Sequence, residues 1–196
     1  MIKRIIDIVV SSVLIFLLSP LLVVIAVLVK FSSPGPALFR PIRVGRDGEP
    51  FKMNKFRTMR VGGEKDWMQR FDPENIDEFV FQSEDDPRIT KVGGFLRRTS
   101  LDELPNFFNT FGGSMSLVGP RPEEPEVVAH YSPKMRGRLT VKPGITGLAQ
   151  VSGRGELPLA DTIGYDLDYV KDRTLWMDLK LLIQTPLTIF SRRGAL

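Results

Sequence analysis

The sequence predicts an α+β protein: an N-terminal membrane helix that enters and leaves by one face, then a small, mainly helical cytosolic domain carrying a short β-hairpin. Three observations predict it. From Ile8 to Val29 run 22 residues without a formal charge, enough for a helix of roughly 33 Å that reaches across a bilayer core. Between Ala37 and Met59, short apolar–polar alternations flank Arg46-Asp47-Gly48-Glu49, an Asp-Gly turn signal between two strands. Further on, Leu101, Leu104, Phe107, Phe108 and Phe111 recur at three- and four-residue steps, the period of a helix with one buried stripe.

The chain has 196 residues, room for one domain with a sizeable core, or one domain plus an appendage. It has no cysteine and one histidine, His130. That excludes cysteine nucleophiles, disulfides and Cys/His zinc sites. A Ser-His-Asp triad would have to use His130, which sits in Val-Val-Ala-His-Tyr with no nucleophile motif nearby. Catalysis is left to carboxylates, Arg, Lys, hydroxyls or a hard cation such as Mg²⁺, which prefers oxygen ligands. The net charge of +4 favours an anionic partner: phosphate, nucleic acid or a lipid headgroup.

Within the apolar run, a secretory signal peptide fits poorly, because the run is long and no small-residue cleavage site precedes Lys30. A buried soluble helix is the other alternative. Ser19-Pro20 interrupts the middle, where proline removes a backbone hydrogen bond and kinks or breaks a helix. Both flanks are basic: Lys3 and Arg4 before, Lys30, Arg40, Arg43 and Arg46 after. Positive charge stays on the cytoplasmic side, so residues 1–33 are expected to form a re-entrant helix broken at Ser19-Pro20. A kinked spanning helix stays open, and residues 34–196 are cytosolic under either reading.

Ser32-Ser33-Pro34-Gly35-Pro36 reads as a linker. From Arg40 to Arg60 seven basic residues face two acids. Lys55, Arg57 and Met59 share one strand face, so Lys55 and Arg57 are placed to meet a phosphate together. Residues 61–88 reverse the balance, with nine acids and three basic residues. They are expected to form an acidic insertion with a helical piece from Glu64 to Phe71, a lid or a merely solvated loop. Ile89 to Phe95 is a short approach. The striped helix starts near Leu101, tolerates Pro105 in its first turn and ends at Gly112-Gly113. Ser116 to Pro122 forms a rigid turn presenting Arg121, followed by a helix from Glu123 to Arg138. Val141 to Gly147 reads as a loop and Leu148 to Arg154 as an extended run. Helices then span Leu159–Lys171 and Leu175–Ile189, the last lying on the membrane surface or in the core.

The chemistry concentrates at Thr99-Ser100-Leu101-Asp102-Glu103-Leu104-Pro105-Asn106. Ser100 to Glu103 fits a capping box, and acids suit a helix N-terminus. The same pair also fits catalysis. Consecutive helical residues diverge by about 100°, so one carboxylate can attack while its neighbour holds a metal. A carboxylate attacks phosphorus competently when Mg²⁺ and arginines neutralise the phosphate oxygens. Arg97, Arg98, Arg121 and Lys55 can supply that charge.

These residues carry a resemblance. Leu96-Arg97-Arg98-Thr99-Ser100-Leu101-Asp102-Glu103-Leu104-Pro105 and Ser116-Leu117-Val118-Gly119-Pro120-Arg121-Pro122 resemble the bacterial sugar transferases, the monotopic phosphoglycosyl transferases that start glycan assembly on a polyprenol phosphate. The likeness continues through Lys55-Phe56-Arg57-Thr58-Met59, Lys142-Pro143-Gly144-Ile145-Thr146-Gly147, Gln150-Val151-Ser152-Gly153-Arg154 and Asp166-Leu167-Asp168-Tyr169-Val170, and includes Ser19-Pro20 at the membrane break. It implies that Asp102 attacks the β-phosphate of a UDP-sugar, releasing UMP, and that polyprenol (undecaprenyl) phosphate then takes the phosphosugar. It implies Mg²⁺ on Glu103 and phosphate contacts from Arg97, Arg121 and Lys55. Gln150, Arg154 and Asp166 are implied on the nucleotide side or its supporting framework. Longer members carry further membrane helices and another domain ahead of this region, so this chain is expected to be a catalytic core alone. Its place would be the cytosolic face of the bacterial inner membrane, among membrane lipids, with a homodimer left open. The rival class is a membrane-tethered adaptor whose basic hairpin binds anionic lipid or nucleic acid. Nucleic-acid binding wants aromatics interleaved with the basic residues, and only Phe51 and Phe56 qualify.

Overall fold

The computed structural model describes residues 1–62, 73–78, 87–153 and 157–190. Helix α1 (Ile2–Ser32) is continuous, with Pro20 inside it. The helix runs on through Ser19-Pro20, with one backbone hydrogen bond missing from its course there. Pro20 cannot donate to the Phe16 carbonyl, its partner four residues back, and Ser19 Oγ donates to that oxygen instead, at 2.8 Å. The helix is long and apolar enough to cross a membrane. Its buried residues lie near the two ends, Asp7 and Ser11 at one and Ile25 and Val29 at the other.

The expected hairpin forms in two antiparallel segments. Strand β1 (Leu38–Phe39) pairs with β4 (Lys55–Phe56), and β2 (Ile42–Val44) pairs with β3 (Pro50–Lys52). The turn between β2 and β3 places Asp47 and Gly48 at φ 60 and φ 85, which the Asp-Gly pair tolerates. Arg57 does not share a phosphate-facing surface with Lys55. It is buried, donating to the Pro34 carbonyl, to Ser33 O at 2.8 Å and to Val29 O at 3.3 Å. A guanidinium thus closes the C-terminal end of α1, where carbonyls lack helical partners.

The expected approach at Ile89–Phe95 is instead the start of helix α2 (Lys91–Thr99), capped by Thr90, whose hydroxyl accepts from Gly93 N at 2.9 Å. The two glycines disguised it. Gly93 is needed because a Cβ there would lie 1.9 Å from the Thr58 carbonyl oxygen. Gly93→Ala should therefore destabilise the protein by about 3 kcal/mol or more, and an unchanged thermal midpoint would contradict this packing.

A 3₁₀ turn, Leu101–Glu103, joins α2 to helix α3 (Asn106–Gly112). The predicted stripe is only partly buried. Leu101 and Leu104 pack with Ile25, Val29, Phe56 and Leu96, and Phe107 packs beside Leu117, Val118, Tyr169 and Leu181. Phe108 and Phe111 are exposed, and the buried face of α3 is Asn106, Asn109 and Thr110. The start of α1 docks against α3, with Arg4 donating to the α3 carbonyls of Thr110 and Phe111 at 2.6 and 2.7 Å.

Strand β5 (Ser116–Val118) runs parallel to β6 (Gly144–Thr146), a strand hidden in what read as a loop. The long helix expected from Glu123 is α4 (Pro125–Ala129) followed, past Ser132-Pro133, by a 3₁₀ stretch over Met135–Thr140. Proline does not continue a helix, which accounts for the break. The run after Gly147 is helix α5 (Leu148–Ser152) rather than an extended segment. Helices α6 (Leu159–Asp172) and α7 (Leu175–Phe190) follow expectation. Helix α7 buries Leu181, while Trp176, Leu179, Ile183 and Leu187 are exposed. The helical piece expected at Glu64–Phe71 lies outside the described residues.

Candidate active site

Helix α2 ends because Ser100 turns left-handed, at φ 56, with its N–H returning to Arg97 O at 3.1 Å. Ser100 makes no side-chain cap to the following turn, so the capping-box reading fails and the acids are left for other work. The 3₁₀ turn spaces Asp102 and Glu103 about 120° apart. Asp102 points inward and is buried. Glu103 meets two cations brought from distant segments: Lys55 Nζ lies 3.3 Å from its Oε1, and Arg121 Nη1 lies 3.5 Å from the same oxygen. Strand β4, the 3₁₀ turn and the loop after β5 therefore converge at one carboxylate. Arg97 belongs to the same field: its charge acts on Asp102, and its Nε donates to Thr58 Oγ1 at 3.1 Å.

Burial dominates the electrostatics. It pushes the Asp102 carboxyl up to about 6, with the neighbouring Glu103 charge adding to the rise and Lys55, Arg97 and Arg121 opposing it. Burial also lowers the Lys55 ammonium, against the pull of Glu103. For Arg121 burial works against the charge, but Glu103, Glu123 and Asp102 outweigh it and its pKa rises. Charges so desolvated act more strongly on an incoming anion than they would in water. Because the folded pKa of Asp102 lies above its unfolded value, this group favours folding while protonated, and that contribution is lost as pH rises through about 6. In metal-free protein, titration of the Asp102 carboxyl by infrared spectroscopy should centre near 6 and move downward in Glu103→Gln. A centre that Glu103→Gln leaves in place would refute the coupling.

The other expected site residues are placed differently. Asp166 is fully buried against Arg138, so within the described structure it faces the framework and not a cleft. Arg138 is equally buried; it also donates to Tyr131 Oη and, at 2.7 Å, to the main-chain oxygen of Arg121. Asp166 is thus linked through Arg138 to the turn that carries Arg121. The amide atoms of Gln150 are buried without a hydrogen-bond partner among the described residues, and its Oε1 would lie 2.6 Å from a Cβ on Gly147. Arg154 lies outside the described residues. Sequence reasoning missed Arg138, and it took Arg43 only as a basic flank. Arg43 Nη1 pairs with Glu124 Oε1 at 2.6 Å, within the electrostatic reach of Lys55, Glu103 and Arg121. The Pro-Arg-Pro-Glu-Glu run was the available signal, since its acids need partners.

Among the described residues no group of three or more acidic or histidine side chains gathers as a metal site. Two adjacent carboxylates still suit Mg²⁺, which takes one or two from protein and completes its shell with phosphate and water. The raised Asp102 is the matching sign: a carboxyl pushed up by burial and a neighbouring negative charge gains from an incoming cation.

Comparison with known proteins follows the same lines. The family model described as bacterial sugar transferase matches residues 1–192. A UDP-glucose:undecaprenyl-phosphate glucose-1-phosphate transferase of Klebsiella pneumoniae is 45% identical over 98% of this chain and 41% of its own length. An undecaprenyl-phosphate galactose phosphotransferase of Salmonella typhimurium is 40% identical over 98% of this chain and 41% of its own length. The exopolysaccharide production protein ExoY of Rhizobium meliloti is 38% identical over all of this chain and 88% of its own length. The chain thus spans about two-fifths of the first two relatives and most of the third. With the family model matched almost end to end, the chain belongs to the bacterial sugar transferase family.

Proposed function

We propose that this chain transfers a sugar-1-phosphate from a UDP-sugar to a polyprenol phosphate, in two steps through Asp102. The observation that carries the proposal is the buried Asp102 beside Glu103, with Lys55 and Arg121 converging on the pair. In the first step an Asp102 oxygen attacks the β-phosphorus, the bond from that phosphorus to the bridging oxygen breaks, and UMP leaves. The sugar phosphate stays as an acyl phosphate. In the second, a polyprenol phosphate oxygen attacks the same phosphorus, releasing polyprenol diphosphate sugar and restoring the carboxylate. Lys55, Arg97 and Arg121 hold the diphosphate and offset charge on its oxygens. Glu103, with Asp102 beside it, would hold Mg²⁺, which when bound supplies positive charge to the phosphate oxygens. An adaptor would have no use for a desolvated carboxylate pair. Multiple-turnover release of UMP from UDP-glucose or UDP-galactose, sustained only when undecaprenyl phosphate is present, tests the reading; no release from either donor or other UDP-sugars would overturn it.

The same reading places α1 as a re-entrant element, with the domain on the cytosolic face of the bacterial inner membrane. It is supported by the docking of both ends on one body: Lys3 pairs with Asp178 at 2.5 Å and Arg4 holds α3, while Arg57 holds the carbonyls at the other end. A straight helix crossing a bilayer would put those ends roughly 30 Å or more apart on opposite sides. The exposed apolar residues of α1, with Phe108, Phe111 and the exposed side of α7, suit lipid contact. The chain has no cysteine, so Ile2→Cys should react with an impermeant thiol reagent only after the membrane is permeabilised. Labelling in intact cells would overturn re-entry.

A further inference from the structure

Asp7 is a carboxylate near the start of the apolar helix, yet it is buried at 3% exposure. Its Oδ1 accepts from Ser116 Oγ and from the Leu117 amide, both at 3.0 Å. On the opposite edge, β5 is held by β6 neighbours: Ser116 N donates to Pro143 O at 2.8 Å and Gly119 N to Thr146 O at 2.9 Å. Successive strand amides point to opposite edges. Asp7 therefore completes the open edge of a two-stranded sheet, where a third strand would otherwise be needed. Arg121 follows β5 by three residues, through Gly119 and Pro120. From the same end of α1, Arg4 closes the helix that begins three residues after Glu103.

We propose that Asp7 is a positioning residue for the transfer reaction, acting through β5 to set Arg121 against Glu103 and Asp102. The active site is competent only when the N-terminal end of α1 is docked, so seating of the membrane helix and catalysis are one event. The buried Leu117 N–H and Ser116 hydroxyl lose their acceptor when the carboxylate is absent, and β5 shifts to find others. A displacement of about 1 Å at a phosphate-holding group costs on the order of 100-fold in rate. The kinetic part rests on the sugar-phosphate transfer reading.

The test uses the full chain in lipid nanodiscs, with Asp7→Leu, Asp7→Asn and Ser116→Ala. In hydrogen exchange, which needs no substrate, Asp7→Leu should speed exchange over 116–121 on the order of tenfold or more, while Asp7→Asn, whose amide oxygen still accepts, stays near wild type. Ser116→Ala leaves α1 untouched and should show a smaller rise, keeping the anchoring testable if Asp7→Leu does not fold. In UMP release, Asp7→Leu should lower kcat on the order of 100-fold, with Asp7→Asn largely rescued. The loss should nearly vanish in an Arg121→Ala background, because a residue acting through Arg121 has nothing left to position. Unchanged exchange in Asp7→Leu and Ser116→Ala overturns the anchoring. Raised exchange with rate losses that multiply in the Arg121→Ala background overturns the link to Arg121. A wild type that releases no UMP overturns the transfer reading and with it the kinetic part, and the exchange result still decides the anchoring.

Discussion

Asp102→Asn should abolish UMP release, lowering turnover by at least about 10⁴-fold, while the protein stays folded and melts no lower than the wild type. The direction on stability follows from burial. The Asp102 carboxyl is pushed up by desolvation and by Glu103, so an uncharged amide of the same shape removes a repulsion without opening a cavity. Activity and stability therefore move in opposite senses, as expected where a strained charge is kept for function. A helix-capping role would predict the reverse, a stability loss of about 0.5–2 kcal/mol with the rate intact. A folded Asp102→Asn protein with near-wild-type turnover would remove Asp102 as nucleophile.

The largest effect on stability is expected at Arg138. Its guanidinium is fully buried, pairs with Asp166, approaches Glu123 Oε1 at 3.9 Å, and donates to Tyr131 and the Arg121 carbonyl. Burial alone would discharge it, but Asp166, Tyr131 and Glu123 outweigh burial and raise its pKa. Arg138→Leu strands two buried carboxylates and should cost about 3–5 kcal/mol. At about 2–4 °C per kcal/mol for a chain of this size, the thermal midpoint falls by roughly 10 °C. Adding Asp166→Leu should recover much of that loss, since a buried pair replaced by packed apolar groups is often neutral. The donor KM should stay high in the double variant, because the Arg121 carbonyl still lacks its donor. A midpoint for Arg138→Leu within about 2 °C of wild type, below the shift expected from 1 kcal/mol, would show that the network is not a support.

The sequence made the long apolar helix, the hairpin turn and the acidic pair legible because each rests on local chemistry. An uncharged run, an Asp-Gly turn and adjacent carboxylates among arginines need no partner to be recognised. Lys55 and Arg121, which the sequence offered as suppliers of positive charge to a phosphate, do meet at Glu103. What stayed hidden depends on long-range contact. Strand β6 is three residues long and gains its identity from pairing with β5. Helix α2 was masked by Gly93, whose missing side chain is required by the Thr58 carbonyl and not by α2 itself. Arg57 read as a phosphate ligand because strand alternation put it beside Lys55, but the carbonyls of α1 claim it. Asp166, implied on the nucleotide side or its supporting framework, is buried against Arg138, a partner 28 residues away that no local pattern marks.

The central claim is that the sugar phosphate passes through Asp102, and the most direct measurement is an acceptor-free single turnover followed by intact-protein mass spectrometry. Purified chain with Mg²⁺ and a UDP-sugar it accepts, but no polyprenol phosphate, should release UMP once per active site. The wild-type mass should rise by one sugar phosphate, the adduct should map to Asp102, and Asp102→Asn should show neither. Polyprenol phosphate added afterwards should discharge the adduct as polyprenol diphosphate sugar. UMP release that begins only when polyprenol phosphate is present, with no adduct on the protein at any time, would contradict the account.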